Sequence, residues 1–507
     1  MGIISWLAVT FSVVLILIGV LYLYLNVAFL YWRKRNFPYL RPTFPFGNLG
    51  VLLTRLKSMG EVYADIYRQM NGMKFGGVYL MHRPQFIVRD PEMIRNFLIK
   101  DFEYFHDHGF VFDEKIDPLT GNLFMLTGKK WKDLRAVLSP TFSSGKMKIM
   151  FETMVECGQG LTEFLDEYAY SKDNVEMNEV VAKFTTDVIA SCAFGIQCNC
   201  LKHPDAEFRR WGKRMIEQSL MESIIGILYV LVPSIPIFFN LPLTSRSVSA
   251  FFRKVVRETI EFREKNAVKR NDFLQLLIDL KNQKRGKEDK PGFTMDEITA
   301  QVIVFFVGGF DTTSVTMSFC LYELAMNMDV QTRLSTEINT VLQQYNGRVT
   351  YEAIKEMKYL DKVVSETLRK YPPVTFLNRH CTKDYNIPET DLVIEKGVQM
   401  VVPVLGLHKD PEYFPDPEKF DPERFNEETK SRRPNYVYLP FGDGPRVCIG
   451  KRFGVIQTKV GLVCLLSKYE FQVCDKTADS LKIDQRKFIM TPTEGVWLQA
   501  RYRSDPF

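Results

Sequence analysis

Phe441-Gly442-Asp443-Gly444-Pro445-Arg446-Val447-Cys448-Ile449-Gly450 is the stretch on which the reading of this chain turns. Gly444 and Gly450 let the backbone approach where a Cβ would obstruct it, and the chain enters a helix near Gly450. A cysteine at a helix N-terminus lies among free N–H groups and at the positive end of the helix dipole, which favour the thiolate. A thiolate held in this way can ligate iron. A cysteine in such a turn also serves as a small apolar core residue. The reading of Cys448 as a ligand therefore rests on the whole set of Phe441, Gly442, Arg446 and Gly450 at these intervals.

Upstream, Thr294 and Glu297 form a capping box, and no proline follows until well past Asn327. This predicts a helix of roughly 30 residues. Its uncharged stretch, residues 298–310, requires it to run through the middle of the domain. Within it stands Gly308-Gly309-Phe310-Asp311-Thr312-Thr313. Each glycine costs a helix about 1 kcal/mol relative to alanine, and a threonine hydroxyl can bond the preceding turn. A widened turn here would admit water and oxygen. A hydroxyl beside an acid is what proton delivery to a reacting oxygen requires.

Helical periodicity extends over residues 137–370, whereas β-branched and aromatic residues alternate in 77–88 and again in 495–502. The fold class is mainly α with small β-sheets. Residues 281–290, charged in both signs, read as an exposed loop. Glu366 and Arg369 stand three apart on a helix ended by Pro372 and Pro373, and Phe420-Asp421-Pro422-Glu423-Arg424-Phe425 follows downstream. Trp131 and Arg135, four apart, share one helical face.

Residues 1–31 contain no charged side chain, and Trp32-Arg33-Lys34-Arg35 follows at once. The apolar run can span the roughly 30 Å hydrocarbon layer. It is too long, and its basic cluster stands on the wrong side, for a cleaved secretory signal. It reads as an uncleaved anchor, with the basic flank and the rest of the chain on the cytosolic side. Myristoylation is excluded because Trp6 stands where Ser or Thr is needed. The expected organisation is an anchor at 1–31, a basic, proline-rich hinge at 32–48 and one globular domain at 49–507. A second uncharged run, 223–245, contains Pro233, Pro236 and Pro242 and reads as a buried or membrane-dipping loop instead of a second span.

The 507 residues are 46% apolar and 25% charged, with a net charge of +6 and no long basic run, so nucleic-acid binding gains no support. Nine irregularly spaced cysteines argue against a disulfide framework and for a reducing compartment. His106, His108 and Cys198-Asn199-Cys200 lack zinc spacing. Gly442-x-Gly444 lacks the third glycine and the context of a dinucleotide site.

The stretch 441–450 resembles the haem-binding signature of the cytochrome P-450 superfamily, and the resemblance covers essentially the whole chain. It implies the cytochrome P450 fold with a single N-terminal transmembrane helix, and haem b (iron protoporphyrin IX) as cofactor. Cys448 would be the proximal thiolate ligand, Phe441 would pack beside its sulfur, and Arg446 would pair with a haem propionate. Trp131, Arg135 and Arg379 are implied as further propionate partners. Such a thiolate pushes electron density toward the iron and favours O–O cleavage. By the same resemblance Thr312 holds a water or dioxygen while Asp311 helps deliver protons, with Gly308 where the family commonly has alanine. Glu366, Arg369 and Arg424 would form a buried triad that shapes the haem pocket without taking part in catalysis.

The segments around Asp117, Gly121, Leu123-Phe124, residues 139–142 and Lys146-Met147-Lys148 look like the insect microsomal branch, which metabolises plant toxins and insecticides. The resemblance implies insertion of one oxygen atom from O2 into a lipophilic substrate at the endoplasmic reticulum. NADPH–cytochrome P450 reductase, and cytochrome b5 as a second donor, would supply electrons; Lys129, Lys130 and Lys132 are candidates for a donor-docking face or a merely solvated one. Family placement implies substrate contacts at Phe110, Phe112 and Phe124 before the central helix and at Phe305, Phe306 and Phe310 on it. It implies others at Val374, Thr375, Phe376 and Leu377, and at Thr493, Glu494 and Gly495. Two rival readings are a haem-thiolate isomerase or dehydratase and a non-catalytic haem carrier or sensor. Intact Asp311-Thr312 counts against both.

Overall fold

The computed structural model describes residues 2–54, 56–217, 219–282 and 292–504. Of the loop expected at 281–290, residues 283–290 lie outside the described residues. Helix α1 (Gly2–Ala28) is 27 residues long, about 40 Å at 1.5 Å per residue. Its stretch Trp6–Ala28 is long and apolar enough to cross a membrane, with its surface almost entirely open. The helices that build the rest of the account are α2 (Gly128–Leu138), α3 (Met177–Ile189), α4 (Leu220–Leu231), α5 (Ser234–Phe238) and α6 (Arg246–Lys265). They are followed by α7 (Met295–Met326), α8 (Lys358–Lys370) and α9 (Lys451–Leu466).

The sheets are small. Strands β1 (Phe75–Leu80) and β2 (Arg83–Val88) form an antiparallel hairpin. Strand β3 (Asn174–Glu176) belongs to a second sheet. Strand β4 (Leu377–His380) pairs antiparallel with β5 (Gln399–Val402), which in turn runs parallel to β2, giving the order β1-β2-β5-β4. In the second sheet β7 (Trp497–Tyr502) lies between β3 and β6 (Tyr469–Gln472). A further two-stranded ribbon joins Tyr385–Asn386 to Val393–Ile394. The fold is mainly α with small β-sheets, as expected.

The segment read as a hinge is laid along β1. Trp32 is 1% exposed, its indole N–H donates to the Val78 carbonyl at 3.0 Å and its backbone N–H donates to the Tyr79 hydroxyl at 3.1 Å. Leu40 and Gly77 exchange further backbone bonds with this stretch. The prolines stiffen it, but it is the aromatic contact of Trp32 with Phe37 and Phe86 that fixes where helix α1 leaves the rest of the fold.

Helix α7 begins at the expected box: the Thr294 hydroxyl accepts from the Glu297 N–H, and the Glu297 carboxylate accepts from the Thr294 N–H at 2.8 Å. It packs against α3 and α9. The closeness to α3 is set at Gly309, where a Cβ would stand 2.7 Å from Ile189 Cδ1. The proline-broken run 223–245 becomes α4 and α5, interrupted at Val232–Pro233.

Candidate functional site

The loop before α9 folds back on itself. The Cys448 N–H donates to the Phe441 carbonyl at 3.0 Å. Gly444 has φ +72°, and a Cβ there would run into the Leu98 carbonyl, so glycine is required. Gly450 differs from the expectation: a Cβ would meet nothing nearer than the Cys448 sulfur at 4.0 Å. The protein itself does not crowd that position; the open side is the one that faces Cys448.

Cys448 is exposed at its own surface although it lies deep enough that burial pushes its thiol pKa up. Both hold for a side chain on the wall of an internal space. The N–H groups of Gly450 and Lys451 and the charges of Arg135 and Lys451 pull the other way. Burial wins, contrary to the expectation that the helix N-terminus alone would secure a thiolate. A cation bound to the sulfur is the additional charge that deprotonates a coordinating thiol.

Across from this loop stands α7. Gly454 near the start of α9 faces Thr313, and Phe453 lies 3.7 Å from where a Gly309 Cβ would be. Gly308 is exposed with no atom within 4 Å of its Cβ position. Val304, Gly308 and Thr312, four apart, form one open face. The Thr312 hydroxyl donates to the Gly308 carbonyl at 2.6 Å, and the helix stays α-helical throughout, without the expected widened turn. Asp311 is buried; burial raises its carboxyl pKa, and the charge of Lys487 opposes this.

Three arginines gather on one side. Arg135 donates to the Val447 carbonyl at 2.9 Å. Arg446 lies over the Trp131 ring at 4.1 Å, donates to the carbonyls of His106 and Leu126, and approaches Asp107 at 3.3 Å. Burial lowers its pKa to about 9, with Arg379 and Arg135 adding to the effect and Asp107 opposing it. Arg379, 1% exposed, donates through Nη1 to the Asn378 carbonyl, while its Nε has no partner and burial lowers its pKa to about 10. Of these three buried or half-buried cations only Arg446 reaches a carboxylate, Asp107, among the described residues. An orphaned buried guanidinium N–H is costly, and a dianionic group such as the two propionates of a haem fits this deficit. Sequence reasoning missed His108, whose ring contacts Arg379 at 3.3 Å and whose pKa is pushed down by burial and by Arg379 and Arg446.

Glu366, Arg369 and Arg424 meet as the resemblance implied. Arg369 forks onto Glu366 at 2.7 and 2.8 Å and donates to the carbonyls of His408 and Pro417. Arg424 Nε stands 3.4 Å from the same carboxylate and its other nitrogens donate to Pro415 and Asp416.

The expected substrate contacts divide. Phe110, Phe112 and Phe124 form a continuous aromatic series: His108 lies against Phe124 (4.7 Å), Phe124 against Phe110, Phe110 against Phe112, and Phe112 against Tyr229 of α4. Leu377 touches the position of Gly442 at 3.6 Å, and Phe376 contacts Tyr63 and Phe488. Val374 is half-buried and Thr375 buried, its carbonyl accepting from Leu405.

Phe305, Phe306 and Phe310 are placed on the packed sides of α7. Phe306 is fully buried among Phe194, Phe208 and Phe252, Phe310 stacks on it, and Phe305 packs on Phe142 and Phe273. A helix apolar on every side does not reveal in sequence which face is open. Thr493 and Glu494 are exposed at the surface, and Gly495 abuts Glu176 of β3. The Ile483–Pro492 bridge turns residues 484–491 into the loop tip instead, bringing Lys487 and Phe488 toward Asp311 and Phe376. Lys129 and Lys130 are answered locally by Asp133 and Glu114.

Comparison with known proteins agrees with this geometry. The family model described as "Cytochrome P450" matches residues 38–498. Probable cytochrome P450 6a13 of Drosophila melanogaster is 42% identical over 494 residues, covering 97% of this chain and 98% of its own length. Cytochrome P450 6j1 of Blattella germanica and cytochrome P450 6A1 of Musca domestica are each 41% identical, covering 94% and 93% of this chain and the same shares of their own lengths. With a cysteine loop, a helix bearing Asp311-Thr312 and an arginine group held in one place, and relatives of this similarity from insects, the chain belongs to the cytochrome P450 family and is a P450 monooxygenase.

Proposed function

We propose that this monooxygenase inserts one atom of O2 into lipophilic small molecules, either xenobiotics such as plant toxins and insecticides or endogenous lipids and hormones. NADPH–cytochrome P450 reductase, with cytochrome b5 as a second donor, would bring the electrons. The reading is carried by Cys448, a deep cysteine whose surface is nonetheless open, in the loop that leads into α9, the helix packed against α7. Membership of the family implies a haem with thiolate ligation, and the buried guanidinium of Arg379, which forms no ion pair among the described residues, fits an anionic group there. When bound, the haem supplies an iron at which O2 is activated, with electron density from the thiolate.

The protein's own residues divide the remaining work. Arg379, Arg446 and Arg135, with Trp131 beneath Arg446, would hold the propionates. Phe441 closes the side of the cysteine loop. The Thr312 hydroxyl, now donating to Gly308, can turn to hold a proton at its Oγ1 toward the open face. Asp311 retains a carboxyl proton to higher pH than an exposed aspartate and can replace protons passed on by Thr312. The aromatic series from His108 to Tyr229 offers an apolar wall for a planar or aliphatic substrate and excludes water.

Residency at the endoplasmic reticulum, with the domain in the cytosol, is supported by the open apolar surface of α1 and by Arg33 and Lys34 directly after it. The reduced, CO-bound protein should show the red-shifted Soret band of thiolate ligation, and Cys448→Ala should abolish it. Persistence of that band in the variant would overturn the ligand assignment.

A further inference from the structure

Four of the nine cysteines gather in one corner, away from the cysteine loop. Cys192, in the turn that continues α3, neighbours Cys157 on the helix Ser144–Ser171, and Cys157 neighbours Cys198 in the loop after α3. Cys200 follows two residues on. Asn199 between them has φ +49°, which places it in the left-handed helical region. A residue in that region curls the chain as a helix does and sets its two neighbours' Cα atoms about 5.4 Å apart. That separation suits a disulfide.

The turn is held from both sides. The Asn199 carbonyl accepts from the N–H groups of Lys202 and His203 at 3.0 and 2.8 Å, and the Cys200 N–H donates to Asp187 of α3 at 2.8 Å. The Cys200 thiol is within hydrogen-bond reach of both the Cys198 thiol and the Asp187 carboxylate. Asp187 is buried. Burial raises its carboxyl pKa, against which stand the Cys200 N–H, the Cys200 thiol, the Leu201 N–H and the charge of Arg209. The two sulfurs differ in access: Cys198 is half-buried and open to solvent, whereas Cys200 is 0% exposed. The contact with Cys198, then burial and the Asp187 charge, push the Cys200 thiol pKa up. Among the described residues no three Cys, His, Asp or Glu side chains come together as a metal site requires.

We infer that Cys198 and Cys200 are a peroxide-sensitive dithiol, in which Cys198 reacts first and Cys200 resolves it. The Cys198 sulfur attacks hydrogen peroxide: an S–O bond forms, the O–O bond breaks, and the leaving hydroxide takes the thiol proton as water. The Cys200 sulfur then attacks the sulfenic sulfur of Cys198. An S–S bond forms, the S–O bond breaks, and the leaving hydroxide takes the Cys200 proton, handed over by Asp187, as a second water. Two thiols are thus oxidised by two electrons while one peroxide is reduced to two waters. The link closes a very short loop and gains little from chain entropy, so it is easily reduced again, as suits a transient switch in a reducing compartment. Its structural effect falls on Asp187, which loses the Cys200 thiol as a donor. The loop's hold on α3, the helix that packs on α7 at Gly309, is weakened there.

The test exposes the full chain, haem-loaded and pre-reduced, to hydrogen peroxide at levels that leave the Soret band unchanged. Free thiols are then alkylated and the protein is digested with trypsin. Peptide 184–202 should carry Cys198 joined to Cys200 with Cys192 alkylated, and dithiothreitol should reverse the link. In the linked form the amides of Cys200 and Leu201 should exchange hydrogen roughly tenfold faster or more. Cys200→Ser should stop at a Cys198 sulfenic acid trapped by dimedone, and Asp187→Asn should slow closure, but not the first step, roughly tenfold or more. Cys157 joined to Cys198, or haem bleaching before any link forms, would overturn the assignment of the pair. Unchanged exchange in the linked form would overturn the weakened hold on α3, and equal closure in Asp187→Asn would remove Asp187 from the proton transfer.

Discussion

Around Glu366, Arg369 and Arg424 converge on one carboxylate, and the remaining guanidinium N–H groups of Arg369 go to the carbonyls of His408 and Pro417. Around Trp131, by contrast, only Arg446 of the three arginines Arg135, Arg379 and Arg446 reaches a carboxylate, Asp107, and Arg379 forms no ion pair among the described residues. Both groups are rich in buried arginine, and both were picked out in the sequence by the same residue type. Their difference lies in where the counter-charge comes from. A buried cation whose anion is supplied by the chain serves the fold, because neither partner can be removed without stranding the other. One whose anion is missing is kept for something the chain must bind.

This contrast can be broken most sharply at Arg369. Arg369→Met should destabilise the protein by about 3–5 kcal/mol, because Glu366 is left buried without its partner; urea unfolding of the cofactor-free protein measures it. The same substitution at Arg379 should leave cofactor-free stability within about 1 kcal/mol of the parent, since no protein anion is stranded. It should instead speed haem loss to apomyoglobin by roughly tenfold or more, the worth of one charge-assisted hydrogen bond. Equal unfolding midpoints for the two variants would erase the distinction.

Thr312→Ala tests the open face of α7 against the packed one. The hydroxyl makes only a bond to Gly308 within its own helix, so haem content and unfolding should hardly change. Product formed per NADPH should fall roughly tenfold or more, with the balance appearing as hydrogen peroxide. Unaltered coupling would remove Thr312 from the chemistry. The smallest effect expected is that of Asp311. Its carboxyl pKa is raised by burial above the ordinary 3.8, so between that value and the raised one the folded protein binds more protons than the unfolded chain. Stability therefore falls as pH rises through this window. Asp311→Asn should flatten that slope in pH-dependent unfolding; an unchanged slope would show that Asp311 is not protonated on folding.

Much of the site was legible because its pieces are local. The capping box at Thr294 and Glu297, the helix start after Gly450 and the turn enforced by Gly444 depend on neighbours within a few residues, and local geometry follows directly from side-chain type. What was not legible concerns direction. Residues 298–310 are uncharged on all sides, so periodicity could not separate the open face of Val304, Gly308 and Thr312 from the packed rings of Phe305 and Phe306. The prolines of 32–48 implied stiffness but not that Trp32 would dock on β1, and the expected substrate contacts at 493–495 did not show that the loop tip lies at Lys487 and Phe488.

The amino-acid sequence by itself determined the family, the long apolar helix at the N-terminus and the pairing of Glu366 with Arg369, since each is written in a local pattern of residues. Only the tertiary structure decided which charges remain unanswered. Whether Arg379 finds a carboxylate depends on segments distant in the chain that packing brings together, and no local pattern records that proximity.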